Sequence, residues 1–285
     1  MVLLSLWQCV VVRRASFLCL ASVGVIRKLS LLSLLMAVMP PAHAELPDLI
    51  ERIRPGVVAV GTVKPVKRAN ADSGPALKYL GTGFVVGDGL KVITNFHVVP
   101  EKFDADAMES LAIFIGHGGA GAAREARVLR SDREHDVVLL GIRGAPLPTL
   151  TLAEDDHVRE GQEIAFTGFP IGMVLGLYPA THRGIISTIT PVVIPAESAR
   201  SLTAAQIRRI RSPFDVYQLD AVAYPGNSGS PVYEVRSGKV VGVINSVMVK
   251  GTKESALRDP SGISYAIPVR YARALLAAGA GPEPK

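Results

Sequence analysis

Beyond residue 55 the sequence consists of short apolar runs rich in Val, Ile and Leu, each bounded by Gly, Pro or Asp. Six runs precede Gly144 and six follow Glu160: Val57–Val63, Gly83–Val86, Lys91–Thr94, Leu111–Ile115, Ala126–Arg130, Val137–Ile142, Glu163–Gly168, Gly184–Thr190, Val216–Asp220, Ser230–Val235, Val240–Met248 and Gly262–Ile267. Such runs between turn residues are typical of antiparallel strands, and nothing in the pattern indicates βαβ units. The sequence therefore predicts an all-β fold of two six-stranded antiparallel barrels, at about 55–145 and 160–268, joined by the polar segment Leu152–Gly161.

Helical patterns are confined to the two ends of this region and to one insertion. Glu45–Arg54 places apolar residues on one side of a short helix before a Pro-Gly pair ends it, and Val269–Ala278 predicts a last helix. Pro195–Ser212 has helix-like, basic content between two predicted strands, which favours a solvated helix. The predicted barrel domain therefore spans 45–278, with a flexible tail at 279–285.

Residues 1–44 have the pattern of a secretory signal peptide. They carry four basic residues and no acidic one, an apolar stretch at Leu29–Met39, and the small-x-small ending Ala42-His43-Ala44. The apolar stretch is shorter than the roughly 20 residues that a transmembrane helix needs. We therefore predict cleavage after Ala44 and export to the periplasm or the exterior, with an uncleaved amphipathic anchor as the alternative.

Removal of this leader changes the charge and the cysteine content. The formal net charge falls from +6 to +2 because four basic residues are lost, and no basic tract remains that would favour a nucleic-acid partner. No stable membrane insertion is expected of the mature chain. Cys9 and Cys19 both lie in the leader, so the mature chain is predicted to have neither a disulfide nor a Cys nucleophile.

Three phrases carry the residue types of a serine hydrolase: His97 in Ile-Thr-Asn-Phe-His-Val-Val, Asp136 in His-Asp-Val-Val-Leu-Leu, and Ser228 in Pro-Gly-Asn-Ser-Gly-Ser-Pro. A hydroxyl is a weak nucleophile at neutral pH, so it needs a base to take its proton and a carboxylate to orient and stabilise that base. Each phrase lies where a predicted strand meets a turn. Asp132, four residues before Asp136, is the alternative carboxylate.

The order His, Asp, Ser argues against an α/β-hydrolase, in which the serine elbow comes first on a parallel sheet. The residues around Ser228 tolerate tight turns, and such a turn can direct backbone amides at one point. We predict an oxyanion hole in the segment Gly226, Asn227 and Ser228, with the amides of Gly226 and Ser228 as the donors. The remaining histidines of the mature chain lack paired metal-ligand spacing, which favours ordinary structural roles: His117, His135, His157 and His182.

Further phrases are spread over nearly the whole mature chain: Arg54-Pro-Gly-Val-Val-Ala-Val, Gly81-Thr-Gly-Phe, Ile93-Thr-Asn-Phe-His, Asp136-Val-Val-Leu-Leu, Gly168-Phe-Pro-Ile-Gly, Arg183-Gly-Ile-Ile-Ser, Gln218-Leu-Asp-Ala, Pro225-Gly-Asn-Ser-Gly and Ser264-Tyr-Ala-Ile-Pro. In content and order they resemble a trypsin-like serine peptidase of the chymotrypsin fold, and most closely the protease domain of the bacterial HtrA/Deg family. The resemblance implies that His97 is the general base, that Asp136 orients it and that Ser228 is the nucleophile.

The resemblance also implies a set of substrate-binding positions around the specificity pocket and the substrate-pairing backbone edge: Val222, Ile244, Asn245 and Ser246. Ser230 stands where the family has a second glycine, as in glutamyl endopeptidases, but those enzymes place a His where Ile244 stands here. An apolar pocket for small or medium aliphatic side chains is therefore expected. HtrA proteases usually carry a PDZ domain after the phrase that ends here at Pro268, and none is expected in this chain.

The sequence thus predicts an exported serine endopeptidase that cleaves unfolded or extended polypeptides through an acyl-enzyme, in protein quality control, without a cofactor. A homo-oligomer is an assembly that the resemblance allows. The alternative from a different class is a protease-fold binding or chaperone-like protein whose triad is latent or inactive. An esterase is disfavoured by the chain order and the strand pattern.

Overall fold

The computed structural model describes residues 45–65, 76–116, 118, 121–155, 157–170, 177–191, 213–245 and 262–278. The predicted leader, the inserted segment 195–212, the tail 279–285 and the predicted pocket residue Ser246 lie outside these residues. Their sequence-based interpretations therefore stay predictions.

Strands β1 to β6 form a closed antiparallel barrel in the order β1-β2-β3-β6-β5-β4. Their bounds are β1 (Val57–Lys64), β2 (Ala76–Val86), β3 (Lys91–Thr94), β4 (Ser110–Ile115), β5 (Ala122–Asp132) and β6 (Val137–Ile142). Because the apolar runs are short and separated by turn residues, consecutive strands can pair as neighbours across tight connections.

Strands β7 to β12 close a second antiparallel barrel in the order β10-β11-β12-β9-β8-β7. Their bounds are β7 (Glu163–Gly168), β8 (Ala180–Pro191), β9 (Asp215–Asp220), β10 (Pro231–Glu234), β11 (Val240–Asn245) and β12 (Ile263–Pro268). The predicted all-β fold of two six-stranded barrels is confirmed.

Three strands begin several residues before the apolar runs that predicted them. The strand β2 begins at Ala76 rather than Gly83, β5 begins at Ala122 rather than Ala126, and β8 begins at Ala180 rather than Gly184. These additional residues are mostly exposed or half-buried and include charged side chains, so they form no apolar run. They are strand residues because their backbones pair with a neighbouring strand.

The strand β1 contributes to two apolar clusters, the interior of the first barrel and a core that both barrels share. Val58 and Val60 are buried in the apolar interior of the first barrel. Ala59 points to the opposite face, as alternation along a strand requires, and belongs to a cluster that contains Phe166 and Val243 of the second barrel. The outer face of the first barrel therefore packs on the second barrel.

Among the described residues, two short α-helices flank the barrels, α1 (Leu46–Ile53) and α2 (Val269–Ala277). The helix α1 buries Leu49 and Ile53, and α2 buries Val269 and Ala272. Both helices occur where the sequence predicted them, with ends that differ by one residue. Within the described part of the chain, no helix has the length and apolar character that crossing a membrane would need.

Candidate active site

Two consecutive reverse turns carry Ser228 between β9 and β10. The Asn227 amide donates to the Tyr224 carbonyl at 2.9 Å, and the Ser230 amide donates to the Asn227 carbonyl at 2.9 Å. The third residues of the two turns are Gly226 and Gly229, with φ of 98° and 86°. A type II turn needs a positive φ at this position, which explains why glycine occurs on both sides of Ser228.

The first barrel binds this nucleophile turn, defined as residues 224–230, through Thr82 on β2. The Thr82 hydroxyl donates to the Gly226 carbonyl at 2.7 Å and accepts from the Phe169 amide at 2.9 Å. The Thr82 amide donates to the Ser228 carbonyl at 2.8 Å. Thr82 lies in the Gly81-Thr-Gly-Phe phrase, but no functional role was predicted for it from the sequence. The available signal was a polar residue between two glycines, directly before the predicted apolar strand.

The structure brings His97, Asp136 and Ser228 together. His97 lies in a 3-10 turn directly after β3, and its Nε2 is 2.9 Å from Ser228 Oγ. Its Nδ1 is 2.6 Å from Asp136 Oδ2. A carboxylate oxygen can only accept a hydrogen bond, so the hydrogen of a neutral imidazole is on Nδ1 and Nε2 can accept from the serine hydroxyl. This arrangement can remove the proton of Ser228 as its oxygen attacks.

Asp136 is held from several directions in an uncommon backbone conformation. Its φ is 54°, in the left-handed region that Asp tolerates better than most residues. Its carbonyl accepts from the Phe96 amide at 3.2 Å and from Asn95 Nδ2 at 3.0 Å. Its carboxylate also accepts from the His97 amide at 2.9 Å. The alternative carboxylate, Asp132, instead contacts the ring of His135 at 2.7 Å.

A family model described as a trypsin-like peptidase domain matches residues 81–243, which include His97, Asp136 and Ser228. The chain belongs to this family. The match begins in β2 and ends in β11, so it includes strands of both barrels.

Curated relatives of this trypsin-like peptidase chain include a "probable periplasmic serine endoprotease DegP-like" from Halomonas elongata, 28% identical over 197 residues, and "serine protease HTRA1" from Xenopus tropicalis, 27% identical over 231 residues. The alignments cover 68% and 81% of this chain but only 33% and 42% of those relatives. The chain therefore spans less than half of their length.

Solved structures of HtrA-type proteases have the same fold. "HtrA-type protease AlgW with decapeptide" superposes with a TM-score of 0.58 at 22% identity, covering 83% of this chain and 69% of that one. The same protease with a tripeptide gives a TM-score of 0.56 at 23% identity, with 82% and 63% covered. The resemblance to the HtrA/Deg family that the sequence indicated is confirmed.

Asn245 has a different place in this trypsin-like peptidase from the one predicted. Its side chain is buried, and its Nδ2 donates to Asp136 Oδ2 at 2.7 Å. The side chain therefore supports the carboxylate rather than lining a pocket. The side chain of the preceding residue, Ile244, is 0% exposed and packs in the shared core, so it does not line the predicted pocket. The predicted substrate-pairing role of the backbone edge stays a prediction. Val222 is half-buried just before the nucleophile turn.

The structure also reduces the number of backbone amides that could form the predicted oxyanion hole. Because the backbone amide of Asn227 donates to the Tyr224 carbonyl within the first turn, this N–H is not available to a substrate in this arrangement. The amides of Gly226 and Ser228 therefore remain the predicted donors to the substrate oxygen. The carbonyls of these two residues accept hydrogen bonds from Thr82, which fixes the 226–227 and 228–229 peptide groups on either side of the 227–228 peptide that carries the Ser228 amide.

His182 on β8 packs beneath the nucleophile turn. Its ring stacks on Phe166 with centroids 4.8 Å apart and lies 6.0 Å from the ring of Tyr224. Burial lowers the pKa of His182, so the ring is neutral at neutral pH and can pack among aromatic neighbours. Among the described residues, no group of three His, Cys, Asp or Glu side chains is arranged to hold a metal ion.

Proposed function

We propose that the protein is an exported serine endopeptidase that hydrolyses peptide bonds of unfolded or extended polypeptides. The observation that carries this proposal is the contact series Asp136 Oδ2, His97 and Ser228 Oγ, with distances of 2.6 and 2.9 Å. Membership of the trypsin-like peptidase family and relatives named as serine endoproteases support the reaction class.

In the proposed acylation step, Ser228 Oγ bonds to the substrate carbonyl carbon while His97 Nε2 takes the hydroxyl proton. Asp136 stabilises the imidazolium that forms. The substrate oxygen becomes negatively charged, and the amides of Gly226 and Ser228 are the proposed donors to it. His97 then gives its proton to the leaving amine as the C–N bond breaks, which leaves an acyl-enzyme.

In the proposed deacylation step, water replaces the amine and His97 takes one of its protons as the water oxygen attacks the ester carbon. The bond between Ser228 Oγ and the acyl carbon then breaks, and the proton returns to Ser228. Asn245 supports both steps by donating to the same carboxylate oxygen that His97 contacts.

The substrate class and the location rest on separate arguments. AlgW structures contain a tripeptide or a decapeptide, which supports peptides as the class of molecule that this chain binds. Half-buried Val222 supports a pocket for small or medium aliphatic side chains. The leader pattern at 1–44 supports export and cleavage after Ala44, and a relative named as a periplasmic endoprotease supports the location. The proposed role in protein quality control rests on the resemblance to the HtrA/Deg family.

The test compares the wild type with Ser228→Ala in casein cleavage and in labelling by a fluorophosphonate. We expect no labelling and a loss of cleavage of about 10⁶-fold in Ser228→Ala, because loss of a nucleophile alone removes most triad catalysis. Ser237→Ala is the matched control, since Ser237 is exposed on the same barrel and binds Glu234.

Two results would overturn the proposal. Undiminished cleavage by a folded Ser228→Ala protein would exclude Ser228 as the nucleophile. Binding of unfolded casein by a wild-type protein that neither cleaves it nor reacts with the fluorophosphonate would instead favour the chaperone-like alternative with a latent triad.

A further inference from the structure

A second His–Asp pair lies directly before Asp136 in the chain, in the turn between β5 and β6. His135 Nδ1 is 2.7 Å from Asp132 Oδ2, and the His135 amide donates to Asp132 Oδ1 at 3.0 Å. The two contacts close the turn and fix the orientation of the imidazole. Since His135 and Asp136 share a peptide bond, the placement of one constrains the other.

The imidazole of His135 is enclosed by aromatic rings from two other elements. Tyr271 on α2 stacks on it with centroids 3.7 Å apart and an interplanar angle of 15°. Phe214, just before β9, meets it edge-on at 4.6 Å, and Phe214 and Tyr271 contact each other at 5.6 Å. The turn that precedes Asp136 is therefore packed against both the last helix and the second barrel.

Polar contacts fix this stack further. Arg270 lies over the Tyr271 ring at 4.9 Å, and its Nη2 donates to the Tyr271 hydroxyl at 3.3 Å. On β5, Arg130 Nη1 donates to the Leu275 carbonyl at 3.0 Å, which gives α2 a second attachment to the same hairpin. The helix thus contacts the hairpin at two points one turn apart.

Asp136 needs such support because of its backbone. Its φ of 54° is a conformation that a residue with a Cβ rarely adopts, and it persists only where the surrounding structure maintains it. Its carbonyl and carboxylate are fixed by groups of the first barrel and of β11. The residue on its N-terminal side is fixed by Asp132 and Tyr271.

We infer that His135 and Tyr271 are positioning residues, and that α2 keeps Asp136 aligned with His97 through their stacked rings. This inference rests on the proposed function and adds two residues outside the triad. It gives α2 a role in catalysis. Displacement of the helix would leave the binding surface intact and lower the rate of the chemical step.

The test measures kcat and KM for a chromogenic peptide in Tyr271→Ala and Tyr271→Phe. We expect Tyr271→Ala to lower kcat by about 10- to 100-fold, because small misplacements of a catalytic group have effects of this size. KM should stay within about twofold. Tyr271→Phe retains the stacked ring and should restore most of kcat. Tyr271→Leu, which keeps apolar volume without a flat ring, should behave as the Ala variant does and serves if that variant does not fold.

A spectroscopic measurement separates positioning from general loss of stability. The hydrogen of His97 Nδ1 that bridges to Asp136 should give a downfield proton NMR signal in the wild type and in Tyr271→Phe, and a lost or broadened signal in Tyr271→Ala. Arg273→Ala is the matched control, because Arg273 joins α2 to the Ala153 carbonyl at 2.5 Å, away from this turn. It removes a helix contact but leaves the stack of Tyr271 on His135 in place, so both kcat and the signal should be kept.

Failure of the inference is distinguishable from failure of the proposed function. If the wild type does not react with a fluorophosphonate, the proposed function fails. If the wild type reacts, but Tyr271→Ala and Tyr271→Phe have equal kcat and equal signals, the positioning role is overturned. Equal losses in Tyr271→Ala and Arg273→Ala would also overturn it, since helix stability alone would then explain both.

Discussion

The carboxylate of Asp136 accepts hydrogen bonds from the His97 amide, the His97 ring and Asn245 Nδ2. Removing the last donor in Asn245→Ala should lower kcat/KM by about 10- to 100-fold, since a hydrogen bond to a charged group contributes about 1.5–3 kcal/mol. Asn245→Asp has nearly the same shape but places a second carboxylate at 2.7 Å, so a larger loss is expected. Steady-state kinetics on a peptide substrate measure both, and an Asn245→Asp enzyme as active as the wild type would contradict this role.

The position of Asn245 could not be predicted from the sequence. The motifs around His97, Asp136 and Ser228 contain residue types that catalyse acyl transfer only in contact with one another. The structure brings those three residues together. A motif does not say which way a strand residue points. Neighbours in a strand face opposite sides, so Ile244 enters the core while Asn245 faces Asp136. The sequence-based prediction placed both residues at the pocket because it could not distinguish these two orientations.

At the scale of elements, strands with apolar residues on both faces are predicted best. The bounds of β3, β6 and β7 are those of the apolar runs, because these strands are buried and turn residues stand at their ends. The beginnings of β2, β5 and β8 are not predicted, because pairing with a neighbouring strand rather than burial makes them strands.

The turn after Ser228 makes an element-scale prediction. Gly229 has a φ of 86°, and a Cβ there would overlap the Thr82 carbonyl oxygen and Thr94 Oγ1. Gly229→Ala should therefore lower both kcat and the free energy of unfolding, the latter by more than the roughly 1–2 kcal/mol of a left-handed backbone alone. Gly161→Ala is the control, because Gly161 has a φ of 78° and open space around it.

Urea unfolding and peptide kinetics on the two glycine variants separate the effects. Gly161→Ala should lower the free energy of unfolding only by the amount due to the left-handed backbone, and its kcat should equal that of the wild type. Equal unfolding midpoints in the two variants, with kcat intact in both, would show that the turn can move away from the first barrel without loss of function.

At the scale of the whole molecule, the site exists only where the barrels meet. His97 and Asp136 belong to the first barrel and Ser228 to the second, and Thr82 links them through bonds to Gly226, Ser228 and Phe169. The sequence predicted two barrels but not this link, because Thr82 and Gly226 are 144 positions apart and no local pattern joins them.

Replacing Thr82 by Val keeps the shape of a fully buried side chain and removes both hydroxyl contacts. The Gly226 carbonyl and the Phe169 amide would each lose a partner, which typically costs about 1–3 kcal/mol per buried group. The nucleophile turn should loosen, so we expect kcat to fall by about 10-fold or more, alongside a lower free energy of unfolding.

Thr62→Val is the control, because the Thr62 hydroxyl bonds to Glu109 at 2.5 Å within the first barrel. Similar destabilisation with a loss of kcat only in Thr82→Val would show that contact between the barrels, rather than stability in general, sets the rate. Equal kcat in both variants would show that the contact of Thr82 with the second barrel does not set the rate.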